Sequence, residues 1–251
     1  MSLNALIFDV DGTLADTERD GHRPAFNQAF AEAGLDWYWD EALYGELLAV
    51  TGGKERIKYF VESFLAPEHR PQDIELLAPS LHQIKTRHYT ELVAKGALPL
   101  RPGVRRLLLD ARRSGLRLAI ATTTTPDNVR ALLRHSLGEG SDSWFEVIAA
   151  GDVVPAKKPA PDIYRWALQA LNLPAGDCIA LEDSANGIRS SLGAGIPTLI
   201  TVNGYTEGDS FDGALAILSD LGEPDAPCRV IRGNLKAKTF VDVDLLKSWS
   251  D

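Results

Sequence analysis

Five short apolar runs, most of them ending at polar or charged residues, restrict the folds open to this chain more than any other feature. They are Leu6–Val10, Leu116–Ala121, Phe145–Ala150, Cys178–Leu181 and Pro197–Val202. A strand buried on both faces reads as a continuous apolar run, whereas a half-exposed strand alternates. Between the runs lie segments with helical apolar spacing: Val104–Ser114, Asp127–His135, Pro161–Leu171 and Ala185–Leu192. Gly115 and Gly195 stand where a helix would stop before the next strand. Strand and helix in alternation imply βαβ units, and hence an α/β fold with a doubly wound parallel sheet.

From about Asp16 to Val93 that rhythm is absent. Helix-like segments occur at Pro24–Ala33, Asp40–Leu48, Lys54–Leu65 and Ile74–Val93, with no buried-strand run among them. The expectation is an inserted α-helical domain, residues 16–95, with residues 1–15 and 96–251 forming the α/β core domain. The return linker, Lys95-Gly96-Ala97-Leu98-Pro99-Leu100-Arg101-Pro102, is rich in residues that interrupt regular structure. Trp37-Tyr38-Trp39 is assigned to the interior of the insertion rather than to a substrate platform. Beyond Val202 the pattern weakens: Ala214–Leu221 is read as a helix, and Lys236–Trp249 as a short strand with a terminal helix.

A net charge of −9 over 251 residues argues against a nucleic-acid partner, which requires basic surface. It also means that a phosphorylated ligand needs locally placed cations. The two cysteines, Cys178 and Cys228, show neither metal-ligand spacing nor a disulfide framework, which fits a reducing compartment. Cys178, inside an apolar run, reads as an inert buried thiol. No apolar stretch approaches the ~20 residues of a membrane span, and Met1-Ser2-Leu3-Asn4 lacks the basic segment of a signal peptide. The expectation is a monomer of the cytoplasm, or of the plastid stroma in a plant source.

In open α/β sheets ligands bind beyond the carboxyl ends of the strands. Asp9 ends the first run, and Asp11 follows on a turn opened by Gly12. Glu182-Asp183 ends the fourth run in the same way. Carboxylates brought together repel each other and need a cation, and all-oxygen ligands suit Mg²⁺. The second run ends in Thr122-Thr123-Thr124-Thr125 before a helix start, where hydroxyls and amides bind phosphate oxygens. The third leads to Lys157-Lys158-Pro159, where a lysine would neutralise both phosphate and an attacking carboxylate.

Asp-x-Asp, Thr, Lys-Pro and Glu-Asp in this order resemble the motifs of the haloacid dehalogenase-like (HAD) phosphohydrolase superfamily, over Leu6–Pro197. That resemblance implies a nucleophile at Asp9, which forms an aspartyl-phosphate. It implies a general acid and base at Asp11, and phosphate binding by Thr122 and Lys158, beside which Thr123 of the threonine run is a further phosphate-binding candidate. Mg²⁺ would be held by Asp9, the backbone carbonyl of Asp11 and Asp183, with Glu182 binding directly or through water. Covalent catalysis splits one displacement into two, and cations stabilise the phosphoryl oxygens. Dehalogenation is disfavoured, because a halide leaving group needs no proton from Asp11.

The insertion resembles the type I cap of the family. Asp16-Thr17-Glu18-Arg19-Asp20-Gly21-His22-Arg23, with Phe26-Asn27, and Thr51-Gly52-Gly53-Lys54-Glu55-Arg56 narrow the resemblance to the CbbY-like subgroup, the first stretch looking closest to its plant members. The subgroup implies a small sugar phosphate substrate, xylulose-1,5-bisphosphate, an inhibitory by-product of Rubisco. The residues themselves support a second phosphate. Gly53, Lys54 and Arg56 form an anion cradle at a helix start. Lys85, Arg87 and His88 share a later helix, and Glu18, His22 and Arg23 lie just past the hinge. Two other readings stay open. A β-phosphoglucomutase-like sugar phosphomutase shares every core motif and a hinge histidine, although Gly53-Lys54-Glu55-Arg56 departs from its pattern. A phosphatase of another small metabolite, such as phosphoglycolate, is the other. A catalytically inert binding module is opposed by the complete set of Asp9, Asp11, Lys158 and Asp183.

Overall fold

The computed structural model describes residues 2–96 and 98–249. The five apolar runs form β1 (Ala5–Phe8), β2 (Arg117–Thr122), β3 (Val147–Ala150), β4 (Cys178–Glu182) and β5 (Thr198–Thr201). With β6 (Ala216–Leu218) and β7 (Val230–Arg232) they make one sheet in the order β3-β2-β1-β4-β5-β6-β7. All neighbours are parallel except β6 and β7. The fold is the expected doubly wound α/β sheet. Strand alternation divides its faces: Leu6 and Phe8 pack into one apolar cluster, Ala5 and Ile7 into another.

The helices of the sheet layer are α5 (Val104–Arg113), α6 (Pro126–Leu137), α7 (Asp162–Leu171), α8 (Ala185–Gly193) and α9 (Val243–Lys247), numbered after the four helices that precede them in the chain. Gly115 and Gly195 take φ of 74° and 81° just after α5 and α8, a left-handed stop that a side chain would strain. Cys178 is buried and free, its thiol pushed up to about 11 mainly by burial. No helix among the described residues is long and apolar enough to cross a membrane.

Between β1 and α5 run a π-helical turn (Glu18–His22), α1 (Arg23–Glu32), α2 (Glu41–Leu47), α3 (Gly53–Phe64) and α4 (Ile74–Ala94). They enclose their own cluster, in which Trp37 and Trp39 are buried against Phe30 and Phe60, while Tyr38 is 66% exposed. Tyr89 and Val93 of α4 instead join the cluster of the sheet.

Two readings of the tail need correction. Ala214–Leu221 is not a helix: Ala216–Leu218 pairs with β5, and the short apolar run follows the hydrogen-bonding edge on offer. In Lys236–Trp249 the expected helix forms as α9, but no strand occurs among the described residues there. The added strand is β7, whose exposed Val230 and Ile231 carry no burial signal.

Arg101, from the return linker, is buried beneath the turn after β1. It donates to the carbonyls of Gly12, Thr201 (3.0 Å), Val202 (2.5 Å) and Ser219 (2.7 Å), and its Nε lies 3.2 Å from Asp16. One side chain thus staples the first loop to the ends of β5 and β6. Arg101→Met is expected to cost about 3–5 kcal/mol of stability, because several buried acceptors lose their charged donor at once. A lower urea midpoint at unchanged slope would show it.

Candidate active site

Sheet order reverses at β1, which lies between β2 and β4. Phe8 is level with Ile120 on one side and Leu181 on the other. The next residues outward, Asp9, Ala121-Thr122 and Glu182-Asp183, therefore meet at one crevice. This is the switch point at which open α/β sheets bind ligands. A cavity of about 310 Å³ opens there, lined by Asp9, Asp11, Glu18, Arg56, Thr122, Thr123, Lys158, Glu182 and Asp183.

Lys158 is its electrostatic pivot. Its Nζ donates to Asp9 Oδ1 and Glu182 Oε1, both at 2.6 Å, and Tyr164 Oη donates to the same Glu182 oxygen at 2.6 Å. Burial opposes the lysine's charge, but Asp9 and Glu182 outweigh it and raise its pKa above the usual value. One cation does not balance the cluster. Burial pushes Asp9 up to about 8 against the pull of Lys158, with Glu182 and Asp11 adding to the rise. Burial, then Asp9 and Glu182, holds Asp183 well above the usual carboxylate range.

Those carboxylates fit a divalent cation. One oxygen from each of Asp9, Glu182 and Asp183 lies within 4.8 Å of the others. Glu182 Oε2 is buried without a partner among the described residues. A Cβ on Gly187 would stand 1.9 Å from that oxygen, and one on Gly12 2.1 Å from Asp183 Oδ2. Gly187 thus keeps Glu182 Oε2 open and Gly12 leaves room for the Asp183 carboxylate, and such hard oxygen donors are the donor set of Mg²⁺ or Ca²⁺.

Asp11 is held from the insertion side. The widened π-helical turn brings His22 Nε2 to 2.8 Å from Asp11 Oδ1, and Thr17 Oγ1 donates to the same oxygen at 2.6 Å. Lys85 Nζ lies 2.8 Å from His22 Nδ1. An ammonium only donates, so His22 accepts at Nδ1 and donates at Nε2. Burial pushes Asp11 up, but the hydrogen bonds from His22 and Thr17, with the charge of Lys85 behind them, prevail and lower it to about 2.

Lys85 itself is pushed down to about 8 by burial, against the pull of Asp11 and Glu18. Its folded pKa lies below its unfolded one, so the unfolded chain binds more protons between about pH 8 and 10.5. Stability attributable to Lys85 therefore rises with pH across that window, by up to about 3 kcal/mol. Urea midpoints from pH 7.5 to 10.5 are expected to show that rise in the unmodified protein and to lack it in Lys85→Met.

The other insertion residues are dispersed. Arg56 reaches the cavity but is committed, donating to Tyr44 Oη (2.8 Å) beside Glu18 (3.6 Å), while Tyr44 donates to Glu18. Gly53 and Lys54 line a second cavity, about 430 Å³, which shares Thr123 with the first. There Lys54 and Lys157 both bind Asp152, at 2.6 and 2.5 Å. His22, Arg23 and Lys85 line neither cavity, and Arg23 faces Glu41 at 3.7 Å. Arg87 and His88 do not face the crevice as expected, because both turn outward to Glu32 on α1.

Sequence reasoning passed over Asn203, Tyr205, Asn186 and Arg189, which also line the first cavity. Asn203 follows a strand run directly, so the strand-end rule that picked out Asp9 would have found it. Nothing local marks the others.

A family model for haloacid dehalogenase-like hydrolases matches residues 3–195. The chain belongs to the haloacid dehalogenase-like hydrolase family. Within it, the chain is 49% identical to the plasmid-encoded protein CbbY of Cupriavidus necator, over 98% of this chain and 96% of that one. It is 40% identical to a CBBY-like protein of Arabidopsis thaliana, over 88% of this chain and 70% of that one. The likeness over this length is thus higher to the bacterial protein, although the segment after Leu14 looked plant-like. A crystal structure of a mutant CbbY from Rhodobacter sphaeroides, in complex with xylulose-1,5-bisphosphate, superposes with a TM-score of 0.82 at 45% identity. That match covers 87% of this chain and 94% of the other.

Proposed function

We propose that this HAD-family hydrolase is a Mg²⁺-dependent phosphatase of a small sugar bisphosphate, xylulose-1,5-bisphosphate, acting through an aspartyl-phosphate on Asp9. The observation that carries the reaction class is the convergence of Asp9, Asp11, Lys158, Glu182 and Asp183 on one cavity. The substrate is supported by the CbbY structure solved with that bisphosphate.

In this reading Asp9 attacks phosphorus, and Asp11, ionised in the free protein with its pKa lowered to about 2, takes up a proton with the entering substrate and passes it to the leaving sugar oxygen. Asp11 then takes a proton from water, which attacks the aspartyl-phosphate and frees inorganic phosphate and Asp9. Lys158 holds Asp9 in line, and with Thr122 and Thr123 it neutralises the transferring oxygens. Mg²⁺, held by Asp9, Asp183, the Asp11 carbonyl and Glu182, would supply further charge to the phosphoryl group. Thr17 and the Lys85–His22 line hold Asp11 through one oxygen.

The second phosphate is assigned to the cavity beside Thr123. Lys54 and Lys157 stand there beside Asp152 and Glu55, and α3 and α6 begin at its rim, so that two ammonium groups and two helix starts are on hand for an anion. Arg56 acts on the first cavity through Glu18. Residues 16–95 serve as a cap over the core formed by 1–15 and 96–251, excluding water during transfer. Its hinges lie near Ala15–Thr17 and Lys95–Leu100, of which Ala97 is outside the described residues.

The test is a phosphate-release screen with Mg²⁺ over xylulose-1,5-bisphosphate, ribulose-1,5-bisphosphate, phosphoglycolate and β-glucose 1-phosphate. The expected result is fastest release from the first. Comparable rates on the monophosphates would remove the bisphosphate reading. Isomerisation of β-glucose 1-phosphate in place of release would make the protein a mutase, the reading that His22 on Asp11 keeps open.

A further inference from the structure

Asn203 stands just past β5, and its amide is used at both ends. Nδ2 donates to Asp183 Oδ2 at 2.7 Å, an assignment the carboxylate requires because it only accepts. Oδ1 accepts from the backbone N–H of Tyr205 at 2.9 Å. Thr206 closes the turn by accepting from the Asn203 N–H through Oγ1 and donating its own N–H to the Asn203 carbonyl, both at 3.0 Å. The Tyr205 ring meets Tyr44 of α2 edge-on, with centroids 6.0 Å apart. Gly45 gives it room, since a Cβ there would stand 3.2 Å from Tyr205 Cδ1.

We propose that the turn Asn203–Thr206 couples the carboxylate site to the helical insertion, with Asn203 positioning Asp183 for the divalent cation and Tyr205 carrying that position to α2. The proposal rests on the divalent-cation reading above. Asp183 sits beside Asp9 and Glu182, and like charge drives its side chain away from them. The charge-assisted bond from Asn203 fixes one oxygen and leaves the other for the cluster. Because the Asn203 amide is one rigid plane, a shift of Asp183 moves the Tyr205 backbone, and with it the ring seated on Tyr44 and Gly45. Linkage makes the coupling reciprocal: a cation that fixes Asp183 favours docking of α2, and docking of α2 favours the cation. Asn186 also ties core to insertion, but to Ala49 and Thr51 rather than to α2, so the α2 amides report on Tyr205.

Calorimetric titration with Mg²⁺, combined with amide hydrogen exchange of α2 with and without Mg²⁺, tests this on the full chain. In the unmodified protein Mg²⁺ is expected to slow exchange at Tyr44–Leu47. Asn203→Ala is expected to weaken Mg²⁺ binding about 10–100-fold and to show no such slowing even at saturation. Tyr205→Ala is expected to lose the slowing, and Tyr205→Phe, which keeps the ring, to retain it. Should Asn203→Ala not fold, Asn203→Ser keeps a hydroxyl for the turn but cannot span to Asp183, and takes its place. Unaltered Mg²⁺ affinity in the Asn203 variant, or slowing that persists in Tyr205→Ala, overturns the coupling while leaving the phosphatase reading intact. Failure of the unmodified protein to bind Mg²⁺ overturns both.

Discussion

Replacing Asp9 with asparagine is expected to lower kcat by about 10⁴-fold or more. An amide nitrogen does not attack phosphorus, and the neighbouring carboxylates are held by other partners, Asp183 by Asn203. Asp11 is bound to Thr17 and His22, and Glu182 to Lys158 and Tyr164. The fold is expected to survive. The substitution is close to isosteric and replaces a carboxyl whose ionisation burial and like charges already oppose, pushing Asp9 up to about 8. The melting temperature at pH 7 is therefore expected to be unchanged or higher. Single-turnover phosphate release, set beside a thermal melt, separates the two effects. Near-normal turnover in a folded variant would place the nucleophile elsewhere.

Lys158→Met is expected to damage both catalysis and stability. Loss of a single preorganised charge donor costs about 10²–10³ in kcat. Here the same group also neutralises Asp9 and Glu182, which are 7% and 1% exposed. With the cation gone, buried carboxylates remain unpaired, at a cost of about 3–5 kcal/mol. Saturating Mg²⁺ is expected to return part of that stability, since a divalent cation in the same cluster supplies the missing charge, but not the activity. Urea midpoints with and without Mg²⁺ measure this. A variant as stable as the unmodified protein in EDTA would show that the buried carboxylates do not need Lys158 to neutralise them.

These two effects concern residues that could be named before any coordinates, and the reason is geometric. A strand buried on both faces needs an apolar run, and in an open sheet the run's carboxyl end points at the crevice, so Asp9, Thr122 and Glu182-Asp183 announced themselves. Lys158 follows no strand directly and stood out only through the order of the segments around it. The residues that the reading placed at one cationic face of the crevice fared differently. Lys54 pairs with Asp152, 98 residues away, Arg56 with Glu18 and Tyr44, and Lys85 with His22, 63 residues away. Long cationic side chains near many carboxylates have several possible partners, and local spacing does not choose among them.

By itself, the sequence determined the alternation of buried strand and helix, the place of the helical insertion, and the strand ends at which carboxylates, hydroxyls and a lysine gather. All three are written in patterns no longer than one element. Tertiary structure alone decided that Arg101 staples the first loop, that Ala216–Leu218 is a strand, that Lys85 reaches Asp11 through His22, and that Asn203 holds Asp183. Each of these depends on which distant backbone or side chain comes within hydrogen-bonding distance once the sheet has closed, and no run of neighbouring residues encodes that distance.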